Sequence, residues 1–188
     1  MILEICEEIS KILHEKGDVI VAIDGRCGSG KSTLAKRLGE QFDCNIFHMD
    51  DYYLQKHQRT EERYDEPGGN VDRERFKEEV LEPLLKHKNV FYKALDCPTL
   101  TFKPAVVYPY KHINIIEGSY SCHPELRDTY DLKVFLDIDL DKRYERIEER
   151  EGKEGLAEFK QKWIPLEEKY FSAFDIQHIC DLYFKADK

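Results

Sequence analysis

The sequence predicts an α/β fold, a mostly parallel sheet with helices on both faces, and three observations carry that expectation. Short apolar runs rich in β-branched residues alternate with helical patterns along the chain. The first such run passes through a glycine-rich turn straight into a helical pattern. No repeat, low-complexity tract or linker interrupts the alternation, so residues 1–188 are expected to form a single domain.

The elements follow in order. Met1 to Lys16 reads as an amphipathic helix broken by Glu4, Glu7 and Glu8, unlike a secretory leader or a membrane span. Asp18 to Asp24 is a β-branched run suited to a buried central strand. Lys31 to Phe42 follows as a helix with Leu34 and Leu38 on one face, and Cys44 to Met49 as a second strand. Residues 54–71 are polar, charged and contain Pro67-Gly68-Gly69, the composition of a loop. Over Asp72 to His87, Phe76, Val80, Leu81, Leu84 and Leu85 share a helix face that Asp72 can cap.

From Asn89 to Tyr108 the helical period disappears. Two apolar runs, Val90-Phe91-Tyr92 and Ala105-Val106-Val107-Tyr108, flank Pro98 and Thr99, which predicts a hairpin over about 89–108. Ile113 to Ile116 and Leu132 to Leu136 read as further core strands. Asp141 to Glu151 is a strongly charged helix. Gly152 and Gly155 punctuate the chain before an amphipathic helix to about Phe174, and Asp181 to Phe184 supplies a last strand.

Composition narrows the partners. The chain is 41% hydrophobic and carries a net charge of -9, so it should fold, and its surface as a whole attracts neither nucleic acid nor anionic membrane. Cysteines at 6, 27, 44, 97, 122 and 180 lack metal-ligand spacing, as do the seven histidines. A chain of this size needs no disulfide staples, and a reducing cytoplasm is the expected location.

Gly25-Arg26-Cys27-Gly28-Ser29-Gly30-Lys31-Ser32 matches the Walker A phosphate-loop spacing in full. Glycines at 25, 28 and 30 let successive N–H groups turn towards phosphate oxygens, and the helix that follows presents its positive end to the same anion. Lys31 is expected to reach the β- and γ-phosphates and the Ser32 hydroxyl to ligate Mg²⁺. Cys27, Ser29 and Thr33 complete the loop's expected cofactor contacts, although Thr33 reads first as helix surface or support.

Ligands of open parallel sheets bind beyond the carboxyl ends of the strands. Three apolar runs end there in acids: Asp50-Asp51, Glu117 and Asp137. Asp50 could deprotonate an incoming hydroxyl and Glu117 could hold Mg²⁺ through water, whereas Asp137 suits a structural role. Arg143, Arg146 and Arg150 line one helix side, able to clamp a polyphosphate or to pair with Glu145, Glu148 and Glu149; spacing alone favours the paired, solvated helix. Gly152 and Gly155 beyond them would permit a lid over about 141–156.

Taken together, these motifs resemble the uridine kinase-like family of P-loop kinases, from about Val19 to Phe171. Beside the phosphate loop, Met49-Asp50-Asp51-Tyr52-Tyr53 is similar to the family's aspartate-plus-aromatic motif, and Tyr64-Asp65-Glu66-Pro67 to its aromatic-Asp-x-Pro segment. Ile115-Ile116-Glu117-Gly118 resembles its second acidic strand, Leu126-Arg127-Asp128 the segment after it, and Leu136-Asp137-Ile138-Asp139 the entry to its lid helix. The resemblance implies a P-loop NTPase three-layer α/β/α fold with a five-stranded parallel sheet, a hairpin over the acceptor site and a helical lid. It implies Asp50 as general base, Asp65 as a contact to an acceptor sugar, and Arg143 and Arg146 as lid arginines; Tyr53, Glu117 and Tyr120 are expected near the acceptor and Arg150 beside the nucleotide. Family members that take uridine or cytidine read the base with an aromatic residue and a histidine in the hairpin. Leu95 and Leu100 align there in this chain, and leucine cannot hydrogen-bond a base edge. Tyr92, His112 or Tyr120 would have to take over that contact.

The function expected is ATP- and Mg²⁺-dependent phosphorylation of a hydroxyl on a small molecule, a nucleoside or related metabolite first. The alternative is a nucleotide-binding regulator or switch. The guanine-reading Asn-Lys-x-Asp, the transporter Leu-Ser-Gly-Gly and the protein-kinase signatures are all missing from the chain. Oligomeric state is left open.

Overall fold

The structure, a computed structural model, describes residues 1–186. Helix α1 (Ile2–Lys16) buries Ile5 and Ile9 and ends on Gly17, whose φ of 82° few other residues adopt. Strand β1 (Val19–Gly25) is buried at every position, the pattern of a strand covered on both faces. It turns into α2 (Lys31–Gly39), which buries Leu34 and Leu38 as their spacing predicts. β2 (Cys44–His48) stops one residue early because Met49 opens a 3-10 turn, Met49–Tyr52, that carries Asp50 and Asp51 off the strand axis.

The loop expected over 54–71 contains a single helical turn, α3 (Glu61–Asp65). Thr60 nucleates it by accepting a hydrogen bond from the Arg63 N–H, a cap overshadowed in the sequence by the Pro-Gly-Gly that follows. The next helix runs as α4 (Arg73–Phe76), a wide π turn (Lys77–Leu81) and α5 (Glu82–Leu85), capped by Asp72 through the Arg75 N–H. Phe76, Val80, Leu81 and Leu84 are buried, but Leu85 is exposed, because the π turn rotates the face by a residue.

β3 (Val90–Tyr92), β4 (Leu95–Asp96), β5 (Thr101–Phe102) and β6 (Val106–Tyr108) form the hairpin, with β3 antiparallel to β6 and β4 to β5. β7 (Ile113–Glu117) and β8 (Leu132–Asp137) return to the main sheet. α6 (Leu140–Glu158) is broken at Gly152, where φ 74° and ψ -179° leave helical space, so the charged helix ends where expected. A π turn (Phe159–Trp163), α7 (Ile164–Phe174), α8 (Ile176–Ile179) and β9 (Leu182–Lys185) complete the chain.

The main sheet has five parallel strands in the order β2-β7-β1-β8-β9. Side chains alternate across it into two cores. Val19, Val21 and Ile23 pack with Ile5 and Ile9 of α1 and Leu34 and Leu38 of α2. Ile20, Ala22 and Phe135 pack on the other face with Phe76, Val80, Tyr170 and Phe171. A small third cluster joins Cys27 of the glycine turn to Ile147, Leu156 and Ile164. Cys122 and Cys180, far apart in sequence, bring their sulfurs to 3.9 Å as free thiols. Among the described residues no helix is long and apolar enough to cross a membrane.

Candidate active site

The glycine turn is set by how closely it passes β8. Gly25 has φ 139°, and a Cβ there would lie 2.0 Å from the Leu136 carbonyl oxygen, so no side chain fits. Gly28 and Gly30 adopt φ of 78° and 97°. The first backbone bond of α2 is Leu34 N–H to the Gly30 carbonyl, which leaves the N–H groups of Lys31, Ser32 and Thr33 at an open helix start. The Ser29 hydroxyl is buried beside them without a partner among the described residues.

The Lys31 ammonium lies along the turn, donating to the carbonyls of Gly25 (2.8 Å) and Arg26 (3.0 Å) and to the Ser119 hydroxyl (3.3 Å). The Ser32 hydroxyl donates to Glu117 Oε1 at 3.1 Å, so the two residues expected at a metal converge at one point. That same oxygen lies 2.5 Å from His48 Nδ1, and the carboxylate raises the His48 pKa above its ordinary value against the opposing effect of burial. His48 carries no sequence signal beyond its place at a strand end.

Asp50 lies on the floor of the cleft, enclosed by protein yet open to water in the cleft. That enclosure raises its pKa, Lys31 lowers it, and Glu117 and Glu167 raise it again. The Tyr53 hydroxyl donates to Asp50 at 3.3 Å. Asp51 turns away and accepts from Tyr92 (2.7 Å), and Asp137 accepts from Arg26 (2.6 Å) and Tyr183 (2.7 Å). Asp24 is fully buried, accepts from the Gly25 and Cys122 N–H groups and the Tyr170 hydroxyl, and has its pKa raised by burial to about 6.

Glu167 of α7, unremarked in the sequence, is a hub behind the turn. It is 5% exposed and accepts from the Cys27 N–H (3.1 Å), the Ser119 hydroxyl (2.8 Å) and the Arg143 guanidinium. Arg143 is 1% exposed; it also donates to Glu168 (2.8 Å) and to the Cys27 sulfur (3.3 Å), and so faces this cluster rather than the open cleft. Burial pushes the Cys27 thiol up to about 12, which keeps it protonated. Arg146 is exposed and donates to the Gly28 carbonyl (2.9 Å), and Arg150 is exposed beside Glu151 (2.7 Å).

One cleft of about 1690 Å³ holds these groups together: residues 27–33, Asp50, Tyr53, Glu117, Tyr120, Arg146 and Arg150 all line it. Its volume exceeds that of a pocket for one small ligand, about 300–1,000 Å³. Asp65 does not reach it. That side chain is exposed near Lys169, and its neighbour Tyr64 lines the cleft instead. The hairpin likewise presents Cys97 and Pro98, while Leu95 is buried within it. Tyr92 is occupied by Asp51, and His112 binds Asp18 at the opposite end of the sheet.

A family model described as an AAA domain matches residues 21–163. Uridine kinase of Clostridium tetani (strain Massachusetts / E88) is 32% identical over 155 residues, 74% of this chain and 70% of that protein. Uridine kinase of Clostridium novyi (strain NT) is 36% identical over 146 residues, 72% of this chain and 69% of that protein. The chain belongs to the uridine kinase-like family of P-loop kinases. Its fold agrees with a solved structure described as a possible uridine kinase from Bacillus stearothermophilus, with a TM-score of 0.68 at 21% identity over 96% of this chain and 99% of that one. As a family member the protein is a kinase, a phosphotransferase that acts on the hydroxyl of a small molecule.

Proposed function

We propose that this kinase transfers the γ-phosphate of ATP, with Mg²⁺, to a hydroxyl of a nucleoside or related metabolite. The observation that carries the reading is that the glycine turn, the Ser32–Glu117 pair and Asp50 open onto one cleft. ATP fits the turn because its N–H groups and helix start face an anion. Mg²⁺ fits the hydroxyl and carboxylate of Ser32 and Glu117, hard oxygen donors brought together, with water completing its shell. When bound, the ion would neutralise charge on the phosphates.

The chain's own groups supply the rest. Lys31 exchanges its carbonyl partners for phosphate oxygens, and Arg146 and Arg150 approach from the cleft rim. Asp50, with a raised pKa and hydrogen-bonded by Tyr53, accepts the proton of the attacking hydroxyl. Arg143 contributes by holding Glu167 and Cys27, and through them the phosphate loop. The domain reading supported is one kinase domain whose hairpin borders the acceptor and whose segment 141–156 borders the nucleotide.

The test is turnover against a panel of nucleosides, vitamins and sugar alcohols with Mg-ATP, with Lys31→Ala as the blank. Asp50→Asn should fold, bind ATP with an affinity within about threefold of the parent, and lose transfer by about 10²-fold or more. Ordinary turnover by Asp50→Asn would remove it as the base.

A further inference from the structure

Asn70 stands immediately after Pro67-Gly68-Gly69 and lines the cleft at 4% exposure. Among the described residues neither its Oδ1 nor its Nδ2 has a hydrogen-bond partner. Buried amides in folded proteins nearly always find partners, so a group from outside the chain is needed to complete this one.

The backbone around Asn70 is held rigidly. Arg63 donates to the carbonyls on either side of it, Gly69 through Nε (2.8 Å) and Val71 through Nη2 (2.9 Å). Arg63 is itself fixed by two bonds to Glu74, at 2.8 and 2.7 Å. The glycines leave no slack, since a Cβ on Gly69 would lie 1.9 Å from the Arg63 carbonyl oxygen and one on Gly68 2.9 Å from the His123 ring. Beside the amide stands Tyr120, close to it but outside hydrogen-bond geometry, and held at φ 77°, a region that aromatic residues rarely occupy. A strained residue and an unpartnered amide, together in the cleft that holds Asp50 and Tyr53, mark a place built for a ligand.

We propose that the Asn70 side chain, with Tyr120 beside it, determines acceptor specificity by reading a neutral group that carries a hydrogen-bond donor and an acceptor side by side. A carboxamide offers one acceptor oxygen and two donor hydrogens and matches such an edge on both counts. A carboxylate or phosphate would meet the amide nitrogen and leave the amide oxygen facing negative charge. Two sources share the required chemistry, the N–H/C=O edge of a nucleobase and a pair of neighbouring sugar hydroxyls. The inference rests on the kinase reading above and adds the residue that chooses the acceptor.

The probes are uridine and inosine, each with its base N-methyl derivative and its 2′-deoxy derivative, at saturating Mg-ATP. Wild type should prefer the parent over one derivative by at least about tenfold in kcat/KM, the methyl pair reporting a base edge and the deoxy pair a diol. In Asn70→Ala that preference should collapse below about threefold, chiefly through KM for the acceptor, with KM for ATP unchanged within about twofold. Because the amide makes no hydrogen bond of good geometry among the described residues, the Tm of Asn70→Ala should stay at or above that of wild type; Asn70→Asp, similar in shape, should lose the preference likewise. Unchanged preference in both variants, or a lowered Tm with equal losses on every probe, overturns the proposal alone. Failure of wild type to phosphorylate any of the six compounds overturns the nucleoside reading beneath it as well.

Discussion

Replacing Arg143 with methionine separates bracing of the phosphate loop from direct contact with phosphate. The guanidinium is 1% exposed and binds Glu167, Glu168 and the Cys27 sulfur. Methionine occupies much of the volume but strands the Glu167 carboxylate, 5% exposed, with only the Cys27 N–H and the Ser119 hydroxyl among the described residues still donating to it. Removing one partner of a buried ion pair costs about 3–5 kcal/mol, and two surviving donors place the loss near the lower end, about 3 kcal/mol. In a protein of this size that lowers Tm by about 6–12 °C. Thermal denaturation followed by circular dichroism measures it. Adding Glu167→Gln to Arg143→Met should restore at least about 1 kcal/mol by removing the stranded charge. Turnover measured well below both transitions should fall by less than about tenfold. The reasoning fails if Tm stays within about 2 °C of the parent's while turnover drops more than about hundredfold. Arg143 would then be leaving Glu167 in solution to act on the phosphates.

Three further outcomes follow from single contacts. Asp24 has a pKa of about 6 in the fold against an ordinary 3.8, so the native state holds this proton more tightly than the unfolded chain; the stability it contributes is complete below pH 3.8 and lost as pH rises through about 6. Wild type should therefore lose about 3 kcal/mol relative to Asp24→Asn between about pH 4 and 7, and urea midpoints that move in parallel would contradict this. Gly25→Ala, with its Cβ driven onto the Leu136 carbonyl, should lose nucleotide binding in calorimetry and at least about 2 kcal/mol of stability. Arg146→Ala, at an exposed site, should leave stability within about 0.5 kcal/mol while raising KM for ATP several-fold; an unchanged KM would detach Arg146 from the nucleotide.

Much of this architecture is legible in the residues because local signals agree with the global fold. The β-branched run before Gly25 and the leucine spacing of α2 each name their element, and the glycine loop between them names the ligand class. The rule for parallel sheets points to the acids at strand ends, and Asp50 and Glu117 do face the cleft. What periodicity does not carry is rotation and distance. The π turn moves Leu85 into solvent, and the hairpin buries Leu95 while presenting Cys97 and Pro98 to the cleft. Glu167 carries no such signal, because it serves the phosphate loop from the far end of the chain through contacts no spacing announces. Arg143 shares a helix side with Arg146, yet the two differ in burial because Glu167 and Glu168 stand opposite only one of them.

The small cluster of Cys27, Ile147, Leu156 and Ile164 has a mechanical consequence. A satellite of four buried residues coheres weakly beside the two main cores, so amide hydrogens over 141–163 should exchange soonest among the helices that cover the sheet. One of the four belongs to the phosphate loop itself. Any loosening of the cover is therefore felt at Cys27, and a nucleotide that orders the loop from inside tightens the cover from the same point.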